Sequence, residues 1–169
     1  KYVKSVLTQY AKTHKIDSLL DLGCGDGANL EWLRPFATRL YASDYNIVRL
    51  ARANNRKIAN EIVLSDITDY AAAKESFDVV YFNHVLEHIP NDEGALKEVH
   101  RILKKDGICI LGVPNEGAFW WQLAYKLQPH TLETTDHVHF YTVPTLSKKI
   151  EGAGFKIREV KRLGWGLPH

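Results

Sequence analysis

A run of glycines after a short apolar segment constrains the fold of this chain more than any other feature. Residues 19–22 are largely apolar, glycines follow at Gly23, Gly25 and Gly27, and Leu30 and Leu33 resume a helical spacing. Glycine tolerates positive φ and lets a ligand approach the main chain, so the pattern predicts a strand, a tight turn and a helix. The amides and the positive dipole end of that helix would suit an acceptor-rich ligand, which indicates a nucleotide-like cofactor.

Apolar segments and helical patterns alternate along the rest of the chain. Strands are predicted at residues 16–22, 40–44, 61–66, 77–84 and 108–115, with a last strand entered at 153–157. The fifth is apolar throughout, which is typical of a strand buried on both faces. The alternation predicts an α/β fold, a doubly wound and mostly parallel sheet with helices on both faces. A length of 169 residues predicts one domain over residues 1–169.

Four helices are expected between residues 2 and 107. The first covers residues 2–14, and Pro35 ends the one that begins at Gly27. Asn46 is expected to cap the next, with Ile47, Leu50, Ala51 and Ile58 on its buried face. A fourth runs from residue 91 to the glycine at 107, and His100 on it is expected to pack rather than bind a ligand.

Composition excludes several classes of protein. The net charge is +2 and the basic pairs are dispersed, so no nucleic-acid partner is expected. Two cysteines without metal-ligand spacing exclude a disulfide-rich secreted domain. No leader and no apolar run of transmembrane length is found, so a cytoplasmic location is expected. The chain contains no methionine, so we expect it to be a piece of a longer product.

Two cofactor classes compete for the glycine turn. Gly23-x-Gly25-x-x-Ala28 satisfies the relaxed dinucleotide fingerprint, and Asp44 follows about 20 residues later, where a βα unit places a carboxylate beside a ribose. Asp21, however, would repel a pyrophosphate, whereas an acid favours a cationic ligand. An NAD-dependent oxidoreductase therefore stays open as the alternative to a cofactor without phosphate.

Asp21-x-Gly23-x-Gly25-x-Gly27 resembles the first motif of class I S-adenosylmethionine-dependent methyltransferases. The strand at 77–84, which leads into Glu87-His88, resembles the fourth-strand motif of their small-molecule branch, and the resemblance extends over residues 16–162. It implies S-adenosylmethionine as cofactor, with Asp66 at the adenine amino group. The cofactor residues it implies are Asp21, Gly23, Cys24, Gly25, Asp44, Tyr45, Asp66, Ile67, Asn83 and His84. The family's sheet normally ends in a further antiparallel strand, and we expect no room for it after residue 164, so either the given sequence stops early or this edge is built differently.

Methyl transfer from a sulfonium needs a base only where the acceptor must lose a proton, as a hydroxyl does, and histidine suits that role. The catalytic candidates are His137, His84 and His88, with His139 beside them and His137 favoured because it lies on the variable segment at 116–142. That segment is expected to determine the substrate, a small or lipid-linked molecule. No metal is expected, because His137 and His139 on alternate residues point apart and no third ligand is near in sequence.

The helix at 118–127 has aromatic residues on more than one side. Exposed apolar surface of this kind marks a binding site, a dimer contact or a membrane-surface contact, although plain packing would also account for it. A homodimer through Trp120 and Trp121 is one expectation. A non-catalytic interaction module that uses this helix to bind a partner is a further alternative, as is a polyamine-forming transferase, which lacks support because no acidic run is present.

Overall fold

Two groups of residues form separate sets of contacts in the computed structural model, which describes residues 1–116, 119–127 and 136–163. The first unit comprises residues 1–83 and 101–111, and the second comprises residues 84–100 and 112–169. The single domain expected over residues 1–169 stays a prediction. Each unit is described by itself.

The first unit is built on a sheet of five strands, and its order is β3-β2-β1-β4-β5. The strands are β1 (Ser18–Leu22), β2 (Arg39–Asp44), β3 (Glu61–Leu64), β4 (Phe77–Asn83) and β5 (Leu103–Gly112). The pairs β1–β2, β2–β3 and β1–β4 are all parallel. The chain moves outward from β1 to β3 and then returns to the other side of β1, which is the doubly wound order. The predicted α/β fold class is therefore confirmed.

Six α-helices belong to the described residues. They are α1 (Tyr2–Ala11), α2 (Leu30–Leu33), α3 (Ile47–Asn55), α4 (Asp92–Ile102), α5 (Phe119–Leu127) and α6 (Val143–Gly152). The helix expected between Gly27 and Pro35 is wrong in extent, because α2 has four residues and a 3-10 turn, Arg34–Phe36, follows it. Proline at this turn removes the N–H that a continuing helix would use. One turn of helix carries little dipole, so the predicted dipole at the glycine turn is lost.

Helix α3 begins as predicted but buries a different face. The Asn46 side chain accepts hydrogen bonds from the amides of Val48 and Arg49, which confirms the cap. Its buried residues are Leu50 and Ala53, whereas Ile47 is 65% exposed. Leu50 is buried as predicted, whereas the expectation that Ile47 and Ala51 face the core is wrong. Ile58 lies beyond the end of the helix. The buried stripe is set by Ala53, which lies against the glycine turn at Gly27.

Strand β1 supplies the centre of the apolar core in the first unit. Leu19, Leu20 and Leu22 are almost completely buried because β1 has a neighbouring strand on each side. Burying each leucine stabilises the fold by about 1.5–3 kcal/mol relative to exposure. Further buried side chains from helices and from β2 complete this layer: Leu7, Leu30, Leu33 and Leu40.

The end of α4 and the last two predicted strands differ from expectation. Strand β5 starts at Leu103, directly after α4, rather than after the glycine at 107. Residues 108–112 are half-buried and not buried on both faces, because β5 lies at the edge of the sheet. Phe155 and Ile157 alternate in burial with exposed neighbours, but the described residues 153–163 form no strand, because they are not paired into the sheet.

Among the described helices none has both the length and the apolar character to cross a membrane.

Candidate active site

The predicted cofactor residues of the first unit follow the carboxyl ends of parallel strands. The glycine turn comes directly after β1, Asp44 ends β2, Asp66 follows β3 and Asn83 ends β4. Ligands of open α/β sheets bind outside this edge, at the point where the strand order reverses. That reversal lies at β1, between β2 and β4.

The amides of the glycine turn already have partners within the protein. Gly23 and Cys24 both donate to the carbonyl oxygen of Ser43 at 2.8 Å, and Gly27 donates to the carbonyl of Cys24 at 2.9 Å. Gly25 donates to the Asp44 carboxylate at 2.8 Å. The expectation that these amides are open to an anion is therefore wrong. A turn whose donors are used internally is a poor seat for a pyrophosphate.

Glycine is required in the turn for two different reasons. Gly25 and Gly27 have φ of +53° and +76°, which side chains rarely adopt. At Gly27 a Cβ would also lie 2.9 Å from Leu30 Cδ1 and 3.1 Å from the Cα of Ala53. At Gly25 the nearest atom would be Arg49 Nη1 at 3.8 Å. Gly27 thus serves packing against α3, whereas Gly25 leaves space beside the turn.

Asp44 organises the turn that the cofactor is expected to contact. Its Oδ2 accepts from the Gly25 amide and its Oδ1 accepts from the Asn46 amide, each at 2.8 Å. The side chain is buried. A carboxylate offers about four acceptor positions, so two bonds to amides leave capacity for ribose hydroxyls.

Asp21 is a buried carboxylate at the centre of the sheet. It pairs in register with Ala42 on one side and Tyr81 on the other, and it is 2% exposed. Its Oδ2 accepts no hydrogen bond. Burial, and then the nearby Asp44 charge, raise the pKa of Asp21 from 3.8 to about 7. A cationic ligand would stabilise the ionised form, so this orphaned oxygen fits the amino group and sulfonium of S-adenosylmethionine.

The remaining cofactor candidates of the first unit differ in exposure. Asp66 is exposed and accepts from the Thr68 amide at 2.8 Å and from its hydroxyl at 2.7 Å. These bonds hold the pKa of Asp66 below its usual 3.8. The residue therefore closes the strand as a turn cap, whatever further role it has. Tyr45 is 78% exposed beside Asp44, whereas Ile67 is buried.

In the second unit, all three catalytic candidates lie near one buried carboxylate. Glu87 is 1% exposed, and its Oε1 lies 3.4 Å from His84 Nδ1 and 3.9 Å from His88 Nε2. The neighbouring Glu87 carboxylate raises the pKa of His84 above 6.5. His84 also has φ of +55°, a conformation that is uncommon for a residue other than glycine. The imidazole rings of His88 and His137 are 4.7 Å apart.

Backbone and side-chain contacts hold the 137–139 segment beside Glu87. The amides of Val138 and His139 donate to the Glu87 carbonyl oxygen at 2.9 and 3.2 Å. His137 Nδ1 lies 2.6 Å from Glu116 Oε2. Sequence reasoning missed Glu116, whose only signal was its position at the start of the variable segment. His139 contacts a different partner, the carbonyl of Ile89 at 3.0 Å, so the two histidines do point apart as predicted.

The aromatic helix α5 forms as predicted, although part of it is not characterised. Its backbone spans Phe119–Leu127, and these two terminal side chains are 71% and 72% exposed. The side chains of Trp120 and Trp121 lie outside the described part of the structure. A homodimer through them stays a prediction.

Known proteins resemble this chain in both sequence and fold. Residues 1–160 match the family described as a methyltransferase domain. A Mycolicibacterium smegmatis protein named as a probable S-adenosylmethionine-dependent methyltransferase is 24% identical over 141 residues, which are 83% of this chain and 52% of that protein. The chain thus spans about half the length of this curated relative.

Two further similarities are to a relative named for a different activity and to a solved structure. A Danio rerio protein named as a mitochondrial arginine-hydroxylase is 29% identical over 147 residues, 83% of this chain and 46% of that protein. The structure of an S-adenosylmethionine-dependent methyltransferase from Mesorhizobium loti has a TM-score of 0.73 at 20% identity, over 93% of this chain and 82% of that one. S-adenosylmethionine is the cofactor that the family and fold imply, and the orphaned Asp21 oxygen fits it. The chain belongs to the methyltransferase-domain family.

Proposed function

We propose that this chain is the catalytic domain of an S-adenosylmethionine-dependent methyltransferase that acts on a small-molecule or lipid-linked acceptor. The observation that carries the proposal is the buried pair of acids beside the glycine turn. Asp44 braces Gly25, and Asp21 has an unpartnered oxygen that a cation would satisfy. These features favour a cofactor that is cationic and has no phosphate, against the NAD-dependent alternative.

The cofactor is held, in this proposal, by groups from four strand ends. Asp44 accepts hydrogen bonds from the ribose hydroxyls, and Asp66 accepts one from the adenine amino group. Asp21 faces the cationic end. The turn residues Gly23, Cys24 and Gly25 belong to the same set. Tyr45 and Ile67, which follow Asp44 and Asp66 in sequence, complete it together with Asn83 and His84 at the end of β4. When bound, S-adenosylmethionine supplies an electrophilic methyl carbon whose sulfur leaving group departs neutral.

The chain's own contribution is positioning and, for a hydroxyl acceptor, removal of a proton. Orienting the acceptor contributes up to about 7–11 kcal/mol in well-aligned reactions. We assign the role of proton acceptor to His84, because its side chain is 63% exposed and lies beside the Glu87 carboxylate, which stabilises an imidazolium. His137 and His88 are the other candidates, and both are less exposed.

Apolar surface in the second unit supports an acceptor with an apolar part. Phe119 and Leu127 on α5, and Val138 and Phe140 in the extended segment, are exposed side chains. A relative from Enterobacter lignolyticus, named as a malonyl-[acyl-carrier protein] O-methyltransferase, is 29% identical over 90 residues, 53% of this chain and 36% of that protein. An acceptor on a carrier or a lipid fits this combination. Cytoplasmic location and the lack of a nucleic-acid partner belong to the same proposal.

Titration with S-adenosylhomocysteine tests the cofactor assignment. Hydrogen bonds to a charged group contribute about 1.5–3 kcal/mol, so Asp44→Ala should weaken binding by about tenfold or more. Asp26→Ala is the matched control, because Asp26 lies in the same turn but is part-exposed, and its carboxylate lies 3.5 Å from Arg52 Nη1 on α3. Equal affinity of both variants and the wild type would contradict the proposal. Release of S-adenosylhomocysteine with a panel of acyl-carrier, phenolic and lipid acceptors then identifies the acceptor.

A further inference from the structure

The second unit contains three side chains whose arrangement is that of metal ligands. Glu87, His88 and His137 each offer one ligand atom, and these atoms lie within 4.8 Å of one another. Donor atoms around a tetrahedral cation are a little over 3 Å apart when each bond is about 2.0–2.1 Å. Small changes of side-chain rotamer therefore suffice to close the three groups around one ion.

Glu87 gives an independent indication that a cation belongs here. Its side chain is 1% exposed, and neither carboxylate oxygen accepts a hydrogen bond in the described structure. Burying an ionised carboxylate is costly unless a cation or hydrogen-bond donors compensate. Within the described residues no lysine or arginine forms an ion pair with Glu87, and its two ion-pair contacts are His84 and His88.

Each histidine of the cluster has a second carboxylate near its Nδ1, and at His137 the two form a hydrogen bond. His137 Nδ1 lies 2.6 Å from Glu116 Oε2, and His88 Nδ1 lies 3.0 Å from Asp136 Oδ1. Metal-binding histidines in proteins regularly place their second nitrogen on a carboxylate, which fixes the tautomer and the ring orientation. With His137 Nδ1 held by Glu116, the cation would be bound through Nε2 of that ring. His88 Nδ1 forms no hydrogen bond with Asp136 in the described structure, and His88 Nε2 is the nitrogen on the Glu87 side.

We propose that Glu87, His88 and His137 bind a divalent transition-metal cation of the Zn²⁺ type. Two imidazoles and one carboxylate suit zinc or iron(II), whereas Mg²⁺ and Ca²⁺ prefer oxygen ligands alone. Three protein ligands leave a coordination position open, as in catalytic zinc sites. Water or the oxygen of a small molecule is the class of ligand that would occupy it.

The sequence argument against a metal considered only His137 and His139. The third ligand was sought nearby in sequence, whereas the structure brings Glu87 and His88 to His137 through the amide bonds that Val138 and His139 donate to the Glu87 carbonyl. The proposal goes beyond the methyl-transfer function and does not rest on it. Since His137 becomes a ligand, the proton-accepting role stays with His84.

Isothermal titration of tag-free protein with Zn²⁺, without cofactor or acceptor, tests the site. The wild type should bind one equivalent, and Co²⁺ should bind with a visible absorption band. His88→Gln and His137→Gln should each lose more affinity than Glu116→Gln, for which loss of a supporting carboxylate predicts about 10–100-fold. His100→Gln is the matched control, because His100 is an exposed histidine that packs on Phe155 away from the cluster. It should bind as the wild type does.

A thermal melt of each variant without metal keeps the result interpretable. Because Glu87 is buried, Glu87→Gln could fail to fold, so its melting temperature is compared with that of His88→Gln at a less buried position. The proposal is overturned if the wild type binds no saturable equivalent of Zn²⁺. It is equally overturned if folded His88→Gln and His137→Gln both bind with the affinity of His100→Gln.

Discussion

Asp21 should make the stability of the cofactor-free protein fall as pH rises. The pKa of this carboxyl is about 7 in the folded chain, against 3.8 when exposed. Between these values the folded state holds a proton that the unfolded state has lost, so the slope of unfolding free energy against pH is negative. A difference of about three between the two pKa values corresponds to about 4 kcal/mol, at about 1.36 kcal/mol per tenfold change. The contribution of Asp21 to the free energy of unfolding is complete below pH about 4 and absent above pH about 7.

Asp21→Asn isolates this effect, because asparagine has nearly the same shape and does not titrate. Other groups titrate in the same window, so the quantity of interest is the wild-type free energy minus that of Asp21→Asn. Urea unfolding at a series of pH values from about 4 to about 8 should show this difference falling by about 4 kcal/mol. Any cost of the buried amide is independent of pH and moves the whole curve without changing its slope.

The cofactor should reverse the sign of the Asp21 effect. A cationic ligand favours the carboxylate, so its binding releases a proton near neutral pH and its affinity rises as pH rises through about 7. Calorimetry in two buffers of different ionisation enthalpy measures that proton, and Asp21→Asn should bind without it. A stability difference that stays flat across the pH series would refute the burial argument for Asp21.

The other predictions concern single contacts. Gly27→Ala should lower the free energy of unfolding by about 2–5 kcal/mol, because left-handed backbone strain adds to overpacking against Leu30 and Ala53. Gly25→Ala should lower it only by the strain, about 1–2 kcal/mol. Chemical unfolding compares the two variants, and equal losses would contradict the packing account. Tyr141→Phe should cost about 1–3 kcal/mol, because the Tyr141 hydroxyl donates to the buried Asp92 carboxylate at 2.7 Å. The same urea assay measures it, and a loss near zero would show that the bond adds nothing.

The strand ends were predictable from sequence because they depend on local signals. Apolar runs that end in acids, glycines or an asparagine gave β1 to β4, and the spacing from Gly23 to Asp44 placed both at one sheet edge. Asn46 was predictable as a cap because its role needs only the next three residues. Such features are fixed by contacts between near neighbours in the chain.

Contacts between distant residues account for what sequence reasoning missed. The use of the turn amides depends on Ser43 and Asp44, which come from the neighbouring strand. Glu116, the partner of His137, is far from it in sequence. Asp136, which lies near His88, is an exposed acid that belongs to no distinctive pattern. Hydrophobic periodicity carries no information about such polar pairs.

The bonds from the Val138 and His139 amides to the Glu87 carbonyl have an evolutionary consequence. They fasten the chain after residue 135 to the turn that follows β4, and Glu116 lies at the other boundary, against His137. None of the atoms in these contacts belongs to residues 117–135, so relatives could differ in sequence over that stretch and keep both contacts.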